Sequence, residues 1–498
     1  MQTALILEIA ADACPERIAL GSLHDGMRFA ALRARANAAA HWLRQSQGHN
    51  AAFIGMNGAA LPVLLFASGM AGMPFVPINY RLGDDDLRRL VARTAPGVVV
   101  VDDDMADRIS GTPGIDIILR STFESRFVDG PLPVPAPLPD HENDIAVLLF
   151  TSGTTGDPKA AVLRHVNLTS YVMSTVEFLG CDEDEATLVS VPPYHIAGIS
   201  AVLTAAYGGR RLVYLPAFTA EAWVEIAARE AITHAMVVPT MLGRILDIMA
   251  STGQTLPNLK SLSYGGGRMP EPVIARALQV LPHVDFVNAY GLTETSSTVA
   301  LLSADDHRNA ILSSDPAVRR RLGSVGRPLP ALELEIRGPD GARLGPGEPG
   351  EIFVRGEQVS GEYLHKKTIA PDGWFATNDG GWLDEDGYLF IEGRLDDVIV
   401  RGGENISPGE IEDVLRGHPQ VADCAVLGLP DVQWGEKVAA VIVCRPGICD
   451  TDALADLVKA RLRSTKTPEA WFFRDTLPYN ETGKLLRRVL KAELAVES

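Results

Sequence analysis

Through the first 300 residues, short runs of apolar and β-branched side chains alternate with stretches whose apolar positions recur every three or four residues. The runs at 52–56, 98–101, 145–150, 187–191, 212–215, 235–238, 262–264 and 285–288 predict strands. The amphipathic stretches at 84–93, 220–229 and 271–281 predict helices. Because the strand runs are apolar at successive positions, both of their faces must be covered, as in parallel sheets flanked by helices. The pattern predicts an α/β lobe of doubly wound layers, whose ligands sit beyond the carboxyl ends of the strands.

The rhythm changes after Ser324. Residues 332–336 alternate with period two and lead into Gly338-Pro339-Asp340-Gly341, a turn signal. With further strands expected at 350–355 and 388–391, residues from about 324 to 395 predict a small antiparallel, β-barrel-like unit. From Asp396 the pattern is mixed α+β. Ser407-Pro408-Gly409-Glu410 reads as a capping box with proline at the first helical position, starting a helix that runs to about Leu415. A buried strand is expected at 438–444 and a helix at 451–462. The expected organisation is a large N-terminal domain, 1–395, and a small α+β domain, 396–498.

Composition narrows the class. Apolar residues make up 46% of the 498, enough for more than one core and incompatible with disorder. A formal charge of −18 argues against nucleic acid, whose phosphates select basic surfaces. The cysteines (Cys14, Cys181, Cys424, Cys444, Cys449) are scattered, with no C-x-x-C pair. They predict reduced thiols of a cytoplasmic protein, not a disulfide framework or a zinc site. The opening MQTALILEIAADACPER lacks a basic n-region, and Glu8 interrupts its apolar run, so no signal peptide is expected. No apolar run reaches the ~18 residues that a transmembrane segment needs.

Chemistry concentrates first in Thr151-Ser152-Gly153-Thr154-Thr155-Gly156-Asp157-Pro158-Lys159, directly after an expected strand. Its glycines let the backbone approach a ligand, its hydroxyls and N–H groups can wrap phosphate oxygens, and Lys159 adds a positive charge. The Walker order G-x-x-x-x-G-K-[ST] is absent. This loop resembles the signature of the adenylate-forming (AMP-binding) enzyme superfamily. Ala289-Tyr290-Gly291-Leu292-Thr293-Glu294-Thr295 resembles a second motif of that family, and Thr377-Asn378-Asp379 through Arg394-Leu395-Asp396-Asp397 resembles its ribose-binding and hinge motifs. Asn480-Glu481-Thr482-Gly483-Lys484 resembles its C-terminal lysine motif. The motifs stand in that family's order, and Gly402-Gly403-Glu404-Asn405 most resembles the version found in its acyl-CoA synthetase, or acid–CoA ligase, branch.

The resemblance implies ATP-dependent activation of a carboxylic acid to acyl-AMP, then transfer to coenzyme A. It implies that Thr151, Ser152, Gly153, Thr154, Thr155, Gly156 and Lys159 hold the β- and γ-phosphates. Glu294, with Thr155, would position Mg²⁺, a hard ion suited to oxygen ligands. Gly265, Gly266, Gly267, Asn288, Ala289 and Tyr290 would form the adenine slot, with Tyr290 as a stacking face and Gly291 and Thr293 continuing the motif. Asp379 would accept both ribose hydroxyls, Arg394 would contact ribose or phosphate, and Lys484 would bridge the acid and the α-phosphate. Residues 461–491 carry eight basic side chains against three acidic ones, an excess that fits anionic ligands.

In CoA ligases of this family the C-terminal domain swings after adenylation. Here Asp396 would be the hinge, and the Gly402-Gly403 turn would admit the pantetheine arm. Trp434 would face the CoA adenine, and Arg81 would contact CoA phosphate. Glu469 sits where some CoA ligases are more basic, which counts against phosphate contacts near Lys466. Pro192-Pro193-Tyr194-His195 resembles an element in which the histidine gates the acid site. No acidic residue follows His195 to bind an amine, so amino acids are disfavoured. With Ile199, Met236, Leu292 and Val299, the pocket reads as apolar and roomy, for a fatty, alicyclic or aryl acid. An acyl-AMP ligase that loads a carrier-protein thiol is the alternative, and a non-catalytic acyl-nucleotide binder a remoter one. A homodimer is left open.

Overall fold

The computed structural model describes residues 1–127, 138, 142–151, 158–402, 404–446, 449–479 and 485–497. Ser152, Gly153, Thr154, Thr155, Gly156, Gly403 and Lys484 lie outside the described residues.

Two large mixed sheets and a layer of helices between them make up the N-terminal lobe. The strand Asn50–Ile54 shows why its sequence is continuously apolar. Ala51 and Phe53 enter the core shared with the second sheet, while Ala52 and Ile54 enter a separate core on the opposite face. Val98 and Val100 part from Val99 and Val101 in the same way within Gly97–Val101. Helices Ala60–Ala71 and Ile196–Gly208 lie between the sheets, and Ala60–Ala71 is buried on every side. An all-round apolar helix is stable only in such a layer. The second sheet buries its other face under Ala220–Arg229, Pro239–Thr252 and Glu271–Val280.

Both sheets are parallel at their centres; the eight-stranded sheet is antiparallel at one edge and the nine-stranded sheet at both, and the motifs lie on antiparallel edge pairs. Ile145–Thr151 pairs antiparallel with Lys159–Arg164, so Thr151 faces Lys159 across a hairpin. Asp285–Leu292 pairs antiparallel with Ser297–Leu302. Glu333–Arg337, Gly350–Arg355, Phe375–Leu383 and Leu389–Arg394 form a separate four-stranded antiparallel sheet, with no pairing among the described residues that closes it into a barrel.

The smaller C-terminal unit is built on Val421–Asp431 and Gly435–Cys444, paired antiparallel along their length. One face packs against Pro408–Arg416 and Thr451–Arg461, the other against Arg487–Glu497. Buried Glu412 accepts the N–H of Val426 at 2.8 Å and pairs with Arg416 and Arg487, fixing two helices to the sheet.

Two expectations are corrected. The helix at Pro408 forms, but Ser407 makes no side-chain cap. Its hydroxyl donates instead to the Glu392 carbonyl at 2.8 Å, tying the C-terminal unit to the last strand of the β unit. Nor are all the cysteines reduced: Cys444 and Cys449 form a disulfide, their Cα atoms 6.1 Å apart, across the connection from strand to helix. Cys14, Cys181 and Cys424 remain free. Among the described residues, no helix is long and apolar enough to cross a membrane.

Candidate active site

The site is assembled where the antiparallel edge of one large sheet meets the four-stranded unit. Asp379 and Arg394 are register partners on adjacent strands. The Asp379 carboxylate is 7% exposed and accepts the Tyr290 hydroxyl at 2.6 Å on Oδ2, while Arg394 Nε lies 3.2 Å from Oδ1. Arg394 also donates to the Thr377 carbonyl at 2.7 Å, and the Asp379 N–H donates to Thr377 Oγ1 at 3.1 Å. Burial, reinforced by the adjacent carboxylate, raises the Tyr290 phenol well above its ordinary value, so it stays a donor. Asn378, at φ +60°, holds a left-handed conformation that few side chains adopt. Its amide donates to Asp396 Oδ2 at 2.8 Å, linking this strand to the Leu395–Asp397 turn.

Four residues beyond Tyr290, Glu294 sits in the turn Thr293–Thr295 and is 8% exposed. Its carbonyl accepts the N–H groups of Ser360 and Gly361 at 2.9 and 3.2 Å. Its Oε1 accepts the Tyr363 hydroxyl at 2.6 Å. Lys159 Nζ lies 5.6 Å from the centre of the Tyr363 ring, so the phenol connects the loop lysine to the glutamate. Arg394 is close enough to oppose the rise in Tyr363 pKa that burial and Glu294 produce. Backbone strain follows directly: Ser296 and Ser297 both have positive φ, at 56° and 119°.

Gly265 pairs with Ala289, and a Cβ there would lie 2.3 Å from the Ala289 carbonyl oxygen, so only glycine fits. Gly266 and Gly267 are exposed beyond the strand end. Asn288 is buried, and its side-chain amide donates to the Ser324 carbonyl at 2.9 Å. It therefore anchors the slot from behind. Gly291 and Thr293 occupy the hairpin between Tyr290 and Glu294.

His195 is the N-cap of Ile196–Gly208, its Nδ1 accepting the Ala197 N–H at 3.2 Å. Burial lowers its pKa to about 4, which keeps the ring neutral. Arg81 bonds to the Tyr80 hydroxyl at 3.2 Å and lines a cavity of about 230 Å³ with Pro192, Pro193, Phe218 and Met241. Ile199 and Val299 are wholly buried in separate cores and have no surface to offer an acid. The expectation that they line the pocket is corrected. Met236 and Leu292 are partly buried against those cores.

In the C-terminal unit, Trp434 is 40% exposed, with Arg401 stacked 4.9 Å from its ring centre. A Cβ on Gly402, at φ +58°, would lie 2.8 Å from that ring. Arg401 pairs with Glu469 at 2.8 Å and Lys466 with Glu410, so the charge of Glu469 is already answered.

The structure thus joins Tyr290, Asp379 and Arg394 in one cluster and Glu294 and Lys159 in a second beside it. Trp434 and Gly402 meet each other in the C-terminal unit, and Arg81 lines the cavity beside Pro192. Sequence reasoning missed Tyr363, whose partner Glu294 is remote in sequence. Among the described residues no group of three or more His, Cys, Asp or Glu could hold a metal. A lone oriented carboxylate such as Glu294 still fits Mg²⁺ that arrives on nucleotide phosphates, since this ion takes one or two carboxylates and keeps its remaining ligands from substrate and water.

Comparison with known proteins agrees with this geometry. The AMP-binding enzyme family model matches residues 7–364, and that of the AMP-binding enzyme C-terminal domain matches 410–484. A feruloyl-CoA synthase of Amycolatopsis sp is 33% identical over 475 residues, covering 93% of this chain and 94% of its own. A fatty acid–[acyl-carrier-protein] ligase of Streptomyces coeruleorubidus is 30% identical over 485 residues, covering 93% and 91%. The structure of O-succinylbenzoate coenzyme A synthetase from Bacillus subtilis, in complex with ATP and magnesium ion, superposes with a TM-score of 0.84 at 29% identity, covering 98% and 99%. The chain belongs to the AMP-binding enzyme family and is an AMP-forming acid–thiol ligase of its acyl-CoA synthetase branch.

Proposed function

We propose that the protein activates a fatty, alicyclic or aryl carboxylic acid as its adenylate and passes the acyl group to coenzyme A, with the clusters around Asp379 and Glu294 holding the nucleotide. In the first step a carboxylate oxygen attacks the α-phosphorus, the bond to the β-phosphate bridging oxygen breaks, and pyrophosphate leaves. In the second, a thiolate attacks the acyl carbonyl and AMP leaves. Both steps move negative charge, so preorganised donors and cations govern the rate.

The observation that carries this reading is the adjacency of two oriented carboxylates with different tasks. Asp379, fixed by Tyr290 and Arg394, accepts the ribose hydroxyls. Glu294, fixed by Tyr363 with Lys159 on the other side of that ring, would hold Mg²⁺ that arrives with the nucleotide. When bound, Mg²⁺ neutralises phosphate charge. Lys484 and the loop from Ser152 to Gly156 complete the constellation in this reading, and Gly265 keeps the adenine slot open. His195 is neutral, so it lines the acid's entrance without adding charge. We read 1–395 and 396–498 as domains that rotate about Asp396, which Asn378 latches in this arrangement. Rotation would bring Gly402, Gly403 and the exposed face of Trp434 to the thiol.

The test is ATP–pyrophosphate exchange over a panel of acids, followed by thioester analysis with CoA and with a phosphopantetheinylated carrier protein. Acid-dependent exchange and acyl-CoA formation support the reading. Exchange that leads to acyl-carrier protein but no acyl-CoA would replace it with the carrier-loading alternative, and absence of exchange with every acid would refute it.

A further inference from the structure

The large lobe and the C-terminal unit meet where the glycines Gly265-Gly266-Gly267 run out. The next residue is Arg268, anchored from behind by buried Met269. Its guanidinium crosses to the helix Pro408–Arg416 and forms an ion pair with Asp413. The same group lies against the first turn of that helix. A Cβ on Gly409 would stand 3.1 Å from Arg268 Nη1 and 3.1 Å from the Glu392 carbonyl oxygen, so the bare glycine lets the helix sit on both. Ser407 donates to that Glu392 carbonyl at 2.8 Å. Charges alternate around the contact. Lys466 pairs with Glu410, and Lys466 and Arg268 both oppose the rise in the Glu392 pKa that burial and Glu410 produce. One charge of the Arg268–Asp413 pair thus belongs to the loop that ends the glycine run and the other to the C-terminal unit, and a rotation of that unit would break it. In this arrangement Tyr479, five residues ahead of Lys484 in the chain, lines the cavity beside Pro192 in the large lobe.

We propose that Arg268 is a positioning residue for adenylation: by clasping Gly409 and Asp413 it holds the C-terminal unit in the arrangement in which Tyr479 reaches the large lobe. The proposal rests on the ligase reading above, in which Lys484 serves the first step, and it adds to the hinge at Asp396 a contact that biases the unit toward one of its two positions. An ion pair of partly exposed side chains contributes little to the stability of a fold. A balanced domain equilibrium responds to the same small energy with a change of population.

Asp413→Arg sets like charges face to face from the C-terminal side of the contact, and Arg268→Asp/Asp413→Arg restores the pair in reverse. Fluorophores introduced as unnatural amino acids at Leu312 and Val432, exposed on the large lobe and on the C-terminal unit, report the arrangement by energy transfer without turnover. Pyrophosphate exchange reads the first half-reaction, and acyl-CoA formation from synthetic acyl-adenylate reads the second. In Asp413→Arg the ratio of the wild-type transfer state to the alternative should fall about fivefold to tenfold, with a fall in exchange kcat and no loss of acyl transfer from the adenylate. The reversed pair should recover most of both. Unchanged energy transfer in Asp413→Arg, no recovery in the reversed pair, or equal losses in the two half-reactions would overturn the proposal. So would Arg268→Met that weakens ATP binding while energy transfer stays as in wild type, since Arg268 would then be a nucleotide ligand. A wild type without acid-dependent exchange would count against the ligase reading, and the energy-transfer result would still decide whether the clasp holds the unit.

Discussion

Replacing Asp379 by asparagine isolates the charge that the nucleotide reading depends on. The carboxylate is 7% exposed, with Tyr290 Oη at 2.6 Å and Arg394 Nε at 3.2 Å. Asparagine keeps the volume, turns one acceptor oxygen into a donor, and leaves Arg394 without its charge partner. A hydrogen bond to a charged group contributes about 1.5–3 kcal/mol. Losing one such bond to ribose and weakening its neighbour therefore raises the transition state by about 2–4 kcal/mol. That corresponds to a fall of about 30- to 1,000-fold in kcat/KM for ATP. Pyrophosphate exchange at varied ATP supplies the number, and the same assay with 2′-deoxy-ATP supplies the control. Wild type should discriminate against the deoxynucleotide, and Asp379→Asn should lose most of that discrimination, because the partner of the missing hydroxyl has gone. If the variant prefers ATP over 2′-deoxy-ATP as strongly as wild type does, Asp379 does not bind the ribose and the reasoning fails.

Tyr363→Phe releases Glu294 Oε1 from its 2.6 Å hydrogen bond and should raise the Mg²⁺ concentration for half-maximal activity several-fold, measured by metal titration at saturating ATP. Glu412→Ala removes the buried acceptor shared by Val426, Arg416 and Arg487. It should destabilise the C-terminal unit by about 3–5 kcal/mol, seen as faster amide exchange there with the N-terminal lobe unchanged. His165 is buried against Thr3 and burial lowers its pKa to about 4, so the unfolded chain gains a proton near pH 6.5 that the native state refuses. Stability should fall as pH drops from 6.5 toward 4, by up to about 3 kcal/mol from this residue, and urea unfolding of His165→Asn should show a flatter profile.

Much of the scaffold was legible because its physics is local. Alternate residues of Asn50–Ile54 and Gly97–Val101 feed different cores, and that requirement writes itself as an unbroken apolar run. The three aspartates opening Asp84–Ala92 mark its start in the same direct way. What stayed hidden depends on partners distant in the chain. Tyr363 meets Glu294 from 69 residues away, and no spacing announces it. The motif marks the ring of Tyr290 as a stacking face, but nothing in it announces that the hydroxyl donates to Asp379, 89 residues on. Ser407 has the sequence of a cap but faces Glu392, because the junction of two units offers its hydroxyl a better-placed carbonyl. Ile199 and Val299 are apolar for the sake of packing, and hydrophobicity alone cannot separate a core position from a pocket wall.

The central claim is that an acid oxygen attacks the α-phosphorus and that AMP leaves when the thiol arrives. Turnover of an acid labelled with ¹⁸O in its carboxylate, with ATP and CoA, follows that oxygen. One label should appear in AMP, none in pyrophosphate, and the other in the thioester carbonyl. Label recovered in inorganic phosphate, or AMP that carries none, would contradict adenylate formation.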